Sequence, residues 1–186
     1  MHTVERWFGP QFASLHPMLQ KLHREGGSLR GVAQVQYGKG LGGWLGRRLA
    51  ARLGVPKGVQ SLDFEVSIRS DDHALYWDRC LNGHTHVASV FVPVGTWPQG
   101  YWLEKSGKLR LVLGVDVVDG GWRWVPLRYS WGGITVPRFL TPRVVAGKSI
   151  QQGRYQFDVA IYLPVLGLLF AYGGALVPQP SASSGF

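Results

Sequence analysis

Few polar residues in this chain fall into a spacing that performs chemistry. His84-x-His86 places two imidazoles on one side of an extended segment, but no third ligand follows at a telling distance and the adjoining Asn82-Gly83 is a turn. Gly38-x-Gly40-x-x-Gly43 matches the dinucleotide fingerprint, and Asp63 lies twenty residues beyond its last glycine. That fingerprint works only between buried parallel strands. Here the preceding segment alternates polar and apolar and no further βαβ unit follows, so the glycines read as a strand-to-helix hinge. Cys80, the only cysteine, has no His base at a recognisable spacing. No metal and no cofactor are expected.

Asp78, Arg79, Arg128 and Asp158 carry more promise, because each sits on a segment whose two faces must be divided between core and solvent. A carboxylate turned inward has its pKa raised and becomes an acid or base, and an inward guanidinium becomes a hydrogen-bond anchor. Asp116 and Arg123 share that placement. Around them the chain is rich in aromatics. Trp77, Trp122, Trp124, Tyr129, Trp131, Tyr155 and Tyr172 either fill a core or wall an apolar pocket, which such residues commonly line.

The elements that position these residues change period along the chain. Pro17 suits the first position of a helix carrying Met18, Leu19 and Leu22, stopped by Gly26-Gly27. Val32, Val35 and Tyr37 follow in a short β-like stretch. A second helix places Leu41, Trp44, Leu45, Leu49 and Leu53 on one face, with Arg47, Arg48 and Arg52 off it, and ends at Gly54-Val55-Pro56. Trp44 and the three arginines make it a candidate lid or membrane contact.

Beyond residue 60 the period is two. Leu62, Phe64, Val66 and Ile68 alternate with polar residues, and further alternating runs cover 75–81, 87–94, 109–117, 122–131 and 155–163 before a last strand ending near Val177. Asp119-Gly120-Gly121 is a hairpin turn. The apolar run 159–177 is interrupted by Pro164, Gly167, Gly173 and Gly174, and reads as a buried hairpin rather than a membrane span. The expectation is a mainly β (α+β) fold: an antiparallel β-barrel or strongly curved sheet of about 8–9 strands with two helices in the N-terminal half. Residues 1–177 are expected to form a single barrel-like domain and 178–186 a flexible C-terminal tail.

Composition narrows the partners. With 45% apolar and only 17% charged residues the chain builds a real core. The net charge of +9 is concentrated in residues 26–62, which carry six basic groups and no acid, and in 120–186. An anionic surface or a carrier protein fits such a distribution. Nucleic acid does not, because the basic groups are not interleaved with aromatics in any recognised module. Met1 to Arg6 is polar and shows no secretory signal, so a cytoplasmic location is expected. Oligomeric state is not readable from these features.

Several short motifs occur together in order. They are Gly9-Pro10, Leu15-His16-Pro17, Leu22-His23, Gly38-x-Gly40 and Trp77-x-Arg79, then Pro137 with Pro142-Arg143. Gly153-Arg154-Tyr155-x-Phe157-Asp158-Val159, Leu163-Pro164-x-x-Gly167 and Tyr172-x-Gly174 follow. From about residue 8 to 177 this pattern resembles the bacterial domain-of-unknown-function family four-one-six-six (DUF4166), whose members occur alone or fused behind a dehydrogenase-like domain. Two positions depart from the family pattern. Gly147–Gln152 carries only Lys148 where an acidic residue is usual, and Ala175 replaces an aromatic. The resemblance implies a folding unit and carries no activity.

The leading expectation is therefore a barrel that encloses a bulky apolar small molecule. The alternatives are a cofactor-free cyclase or isomerase of a polyketide-like substrate, acting by holding one reactive conformer, and a peripheral lipid-handling protein.

Overall fold

The computed structural model describes residues 2–56, 58–106, 109–137 and 141–180. Strands β1 (Gly27–Tyr37), β2 (Ser61–Ser70), β3 (Leu75–Leu81), β4 (Thr85–Val94), β5 (Tyr101–Ser106) and β6 (Leu109–Val118) lie side by side as a meander. Strand β7 (Gly121–Trp131) returns beside β6, and β8 (Ile134–Thr135) is a two-residue spur on it. Strands β9 (Arg143–Gln151), β10 (Arg154–Leu163) and β11 (Gly167–Pro178) complete the circuit, β9 pairing with β7 and β11 with β1. Every pairing is antiparallel, and without the spur the sheet is a closed barrel of ten strands. No helix among the described residues is long and apolar enough to cross a membrane.

Tight turns at Asn82-Gly83, Asp119-Gly120 and Gln152-Gly153 all have positive φ at both positions, the geometry that suits two-residue hairpins. Inward positions alternate as the sequence periodicity predicts through β2 and β3, where Phe64, Val66, Ile68, Leu75 and Leu81 are buried. On β7 the phase shifts. Val112 pairs with Arg128 but Leu113 with Pro126, so Leu127 is an extra residue in a β-bulge. Trp122 and Trp124 face inward before the bulge, and Tyr129 faces inward after it.

The ends of the barrel are closed by different means. At one end α1 (Thr3–Phe8), a 3-10 turn (Gly9–Ser14) and α2 (Pro17–Glu25) insert Val4, Trp7, Phe8, Phe12, Leu15 and Leu19 into the core. His16 caps α2 by accepting the Met18 amide at 3.2 Å, and Pro17 opens its first turn. At the other end α3 (Gly40–Arg52) lies on β11.

The strand and helix counts correct the sequence expectation, for identifiable reasons. Strand β5 is apolar on both sides (Tyr101, Trp102, Leu103), so it shows no alternation. Strand β9 carries a lysine, Lys148, at an inward position, which hides its period. Helix α1 is six residues long, too short for a helical repeat to show. Of the tail predicted over 178–186, Pro178 still belongs to β11 and the Gln179 amide bonds the Ser28 carbonyl at 2.8 Å; residues 181–186 lie outside the described residues.

The buried face of α3 is also corrected. Leu41 is 71% exposed and Trp44 46%, whereas Gly42, Gly43, Gly46 and Ala50 are buried. A Cβ on Gly38 would overlap the Leu168 carbonyl oxygen, and one on Gly46 that of Leu169. A Cβ on Gly42 would come within 2.6 Å of the Leu166 oxygen. Gly38, Gly42 and Gly46 are thus a close-packing stripe of helix on strand, while Gly40 and Gly43, the other two glycines that imitate a nucleotide fingerprint, form the strand-to-helix turn, with Gly40 at φ 54° and Gly43 against the Gly38 carbonyl. In an open helix Gly→Ala gains roughly 1 kcal/mol. Here Gly46→Ala is expected to cost about 1–3 kcal/mol instead, read as a lower urea midpoint at unchanged slope.

Candidate functional site

The barrel interior divides into a filled half and a hollow half. The filled half is aromatic. Trp122 packs edge-on against Phe8 and tilted against Trp124, both at 5.0 Å between ring centres. Phe91 stacks on Trp124 at 5.0 Å, and Trp77 meets Phe91 at 5.2 Å.

Within this aromatic packing sits a lysine. Lys148 projects inward from β9 and is 4% exposed. Its Nζ lies 2.7 Å from Nε2 of His23, 3.8 Å over the Trp122 ring and 4.6 Å over that of Trp77. No ion pair among the described residues includes it. Burial pushes the Lys148 amine well below the ordinary lysine value. Burial first, and the neighbouring amine second, push His23 well below the ordinary histidine value. His23 Nδ1 has no protein partner among the described residues. A neutral amine accommodates this best. Its lone pair accepts from Nε2–H, and the orphaned Nδ1 is then an acceptor, not a buried donor. Lys148 borders a cavity of about 60 Å³ together with Trp77, Trp124, Tyr155 and Phe157.

The hollow half is a chamber of about 280 Å³ under the C-terminal part of α3. Its wall is mostly apolar: Leu49, Leu53 and Val55 above, then Leu62, Leu81, Val87, Leu109, Leu111, Val144 and Ile161 around the barrel. One polar strip crosses it. Arg79 donates to the Val87 carbonyl at 3.3 Å and to Ser89 Oγ, and Ser89 Oγ donates to Glu104 Oε1 at 2.7 Å. A guanidinium and a carboxylate are thereby joined through one hydroxyl, which balances their charge inside the wall. On β7, the Tyr129 hydroxyl is buried without a partner among the described residues, and burial pushes its pKa up to about 12. Phe64, Arg79 and Tyr172 border both cavities, so the two are neighbours across those side chains.

The residues singled out in the sequence separate cleanly. Of the four polar candidates Arg79 alone faces the interior. Asp78 is on the outer side of β3, 3.7 Å from His86. Asp158 is exposed on the outer side of β10, beside Gly147, and Arg128 borders an open groove with Arg143 outside the chamber. Among the aromatics, Trp77, Trp124 and Tyr155 border the small cavity, Tyr129 the chamber and Tyr172 both. Trp122 is core beneath Lys148, and Trp131 is 59% exposed at the β7 end. On α3, Trp44, Arg47, Arg48 and Arg52 are on the outer surface, with Arg48 stacked 3.9 Å over Trp44. His84 and His86 join no group of three metal-ligating side chains among the described residues.

Sequence reasoning missed Ser89, Glu104, His23 and Lys148 as site residues. Ser89 and Glu104 stand on strands with no distinguishing neighbours. Lys148 had one available signal, a lone charge in an otherwise uncharged stretch between Arg143 and Arg154.

The described strands thus define a closed antiparallel β-barrel with an aromatic core at one end and an apolar chamber at the other. The profile described as domain of unknown function (DUF4166) matches residues 15–176, and the chain belongs to that family. No curated protein and no solved structure was found to match it.

The buried amine has a signature in stability. The unfolded chain holds the Lys148 proton up to about pH 10.5, whereas the folded chain gives it up at lower pH. The unfolded state therefore binds more protons in that window, and stability rises with pH. The groups facing the amine (His23, Arg79 and Tyr155) are common to both proteins in a comparison with Lys148→Met. Wild type is expected to gain on the Met variant steadily from pH 7 to 10, measured by urea denaturation at each pH.

Proposed function

We propose that this protein binds a bulky apolar small molecule in the hollow half of its barrel. The observation that carries the reading is the chamber of about 280 Å³, close to the lower end of the roughly 300–1,000 Å³ typical of ligand pockets. Its walls offer apolar area, and the Tyr129 hydroxyl, without a partner among the described residues, and Arg79 are polar groups on that wall that can orient a ligand. Helix α3 roofs this chamber through Leu49 and Leu53, which gives it the position of a lid.

The neutral fluorophore N-phenyl-1-naphthylamine tests this. It is expected to bind wild type with blue-shifted emission. Val144→Trp and Leu111→Trp, which fill the chamber from separate walls, are expected to bind at least tenfold more weakly. Tyr129→Phe is expected to match wild type in stability without ligand or exceed it by up to about 1 kcal/mol, since a buried hydroxyl without a partner contributes nothing. Equal binding by wild type and both Trp variants would place the probe elsewhere and remove the reading.

A second reading is favoured by the outer surface of α3. Leu41 and Trp44 are exposed beside Arg47, Arg48 and Arg52, and the fully exposed Val165 lies in the turn just before β11, on which α3 packs. Apolar tips among arginines suit contact with an anionic lipid surface from which an apolar ligand is collected. Co-sedimentation with phosphatidylserine vesicles that weakens with salt and is lost on Trp44→Ala with Arg48→Glu would support it; no sedimentation would exclude it.

A further inference from the structure

We propose that Lys148 is a covalent capture site, whose amine forms an imine with an apolar aldehyde or ketone held in the barrel. The inference rests on the ligand-binding reading above and names the functional group the ligand carries. A lysine kept for stability is expected to face a carboxylate. Lys148 faces a neutral imidazole and two indole faces, and a methionine would fill the same space without the cost of burying an amine. What the lysine adds is a nucleophilic lone pair inside an apolar enclosure.

The surroundings suit the carbonyl group. The cavity at Lys148, about 60 Å³, admits a carbonyl terminus and little more, and the chamber across Phe64, Arg79 and Tyr172 accepts the remaining hydrocarbon. Trp77 borders this small cavity, and its Nε1–H is buried with no partner among the described residues. It is a donor available to the carbonyl oxygen. His23, with its Nε2 at 2.7 Å from the amine, is placed to carry protons.

The steps balance without an oxidant or reductant. The Lys148 nitrogen attacks the carbonyl carbon, a C–N bond forms, and the carbonyl π pair moves to oxygen, which takes the first of the two nitrogen protons to give a neutral carbinolamine. His23 then gives its Nε2–H to the hydroxyl, which leaves as water with the C–O pair, and the remaining nitrogen proton passes to the vacated Nε2. The product is a neutral imine, and addition of water reverses the sequence.

The test is reductive trapping of wild type with octanal and sodium cyanoborohydride at pH 7, followed by peptide mapping. The chain has six lysines (Lys21, Lys39, Lys57, Lys105, Lys108 and Lys148). A single octyl group is expected on Lys148, at least tenfold faster than on any other lysine. Octanol, which occupies the chamber but cannot form an imine, is expected to slow it. Lys148→Met should lose the fast adduct and still bind N-phenyl-1-naphthylamine. Octanol displacing the fluorophore while octanal labels only other lysines would overturn this inference and leave the binding reading standing. Failure of both octanol binding and Lys148 labelling would overturn both.

Discussion

A barrel of ten strands is wider than its own side chains can readily fill. An eight-stranded barrel has an interior just wide enough for side chains or one small ligand, and the diameter grows with each added strand. Every other feature of this molecule answers that excess width. At one end α1, the 3-10 turn and α2 enter the opening, with Trp7 against Trp102, Phe8 against Trp122, and Phe12 and Leu19 buried behind them. At the other end no helix enters. Helix α3 passes beside the barrel on its glycine stripe and covers the opening only with Leu49 and Leu53. The space left under that roof is the chamber.

The interior handles polar groups in two ways. Arg79, Ser89 and Glu104 form a chain in which each charge is compensated, so the low dielectric imposes little penalty. Lys148 and His23 lack such compensation and are most cheaply kept neutral. The first arrangement is a wall that can face an apolar ligand. The second is an amine and an imidazole in direct contact within the filled half. Arg79, Phe64 and Tyr172 border both spaces and form the boundary between the chamber and the small cavity at Lys148.

Much of the barrel was legible because the period-two pattern of β2, β3, β6 and β10 follows directly from burying one face of a sheet. It failed where another constraint took over. Strand β9 spends an inward position on Lys148, and the Leu127 bulge on β7 moves Tyr129 into phase with the interior while the adjacent Arg128 stays outside. Helix α3 misled in part: Leu45 and Leu49 do pack on the core, but Leu41 and Trp44 stay exposed, because backbone-to-backbone approach at Gly38, Gly42 and Gly46 decides which side is most deeply buried. Arg79 and the aromatics Trp77, Trp124, Tyr129, Tyr155 and Tyr172 line the two cavities, positions that their place in alternating strands allows the sequence to suggest. Lys148 and His23 lie 125 residues apart in sequence and are joined only by the docking of α2 into the barrel.

The central claim is that the barrel's hollow half exists to be occupied by an apolar molecule. Native mass spectrometry, on protein equilibrated with an organic extract of its own host cells, tests it most directly. The account predicts a discrete added mass that recurs between preparations, is released on unfolding and is absent from Val144→Trp. Bare chain under the same conditions would contradict it, and the chamber would then be an unfilled consequence of strand number.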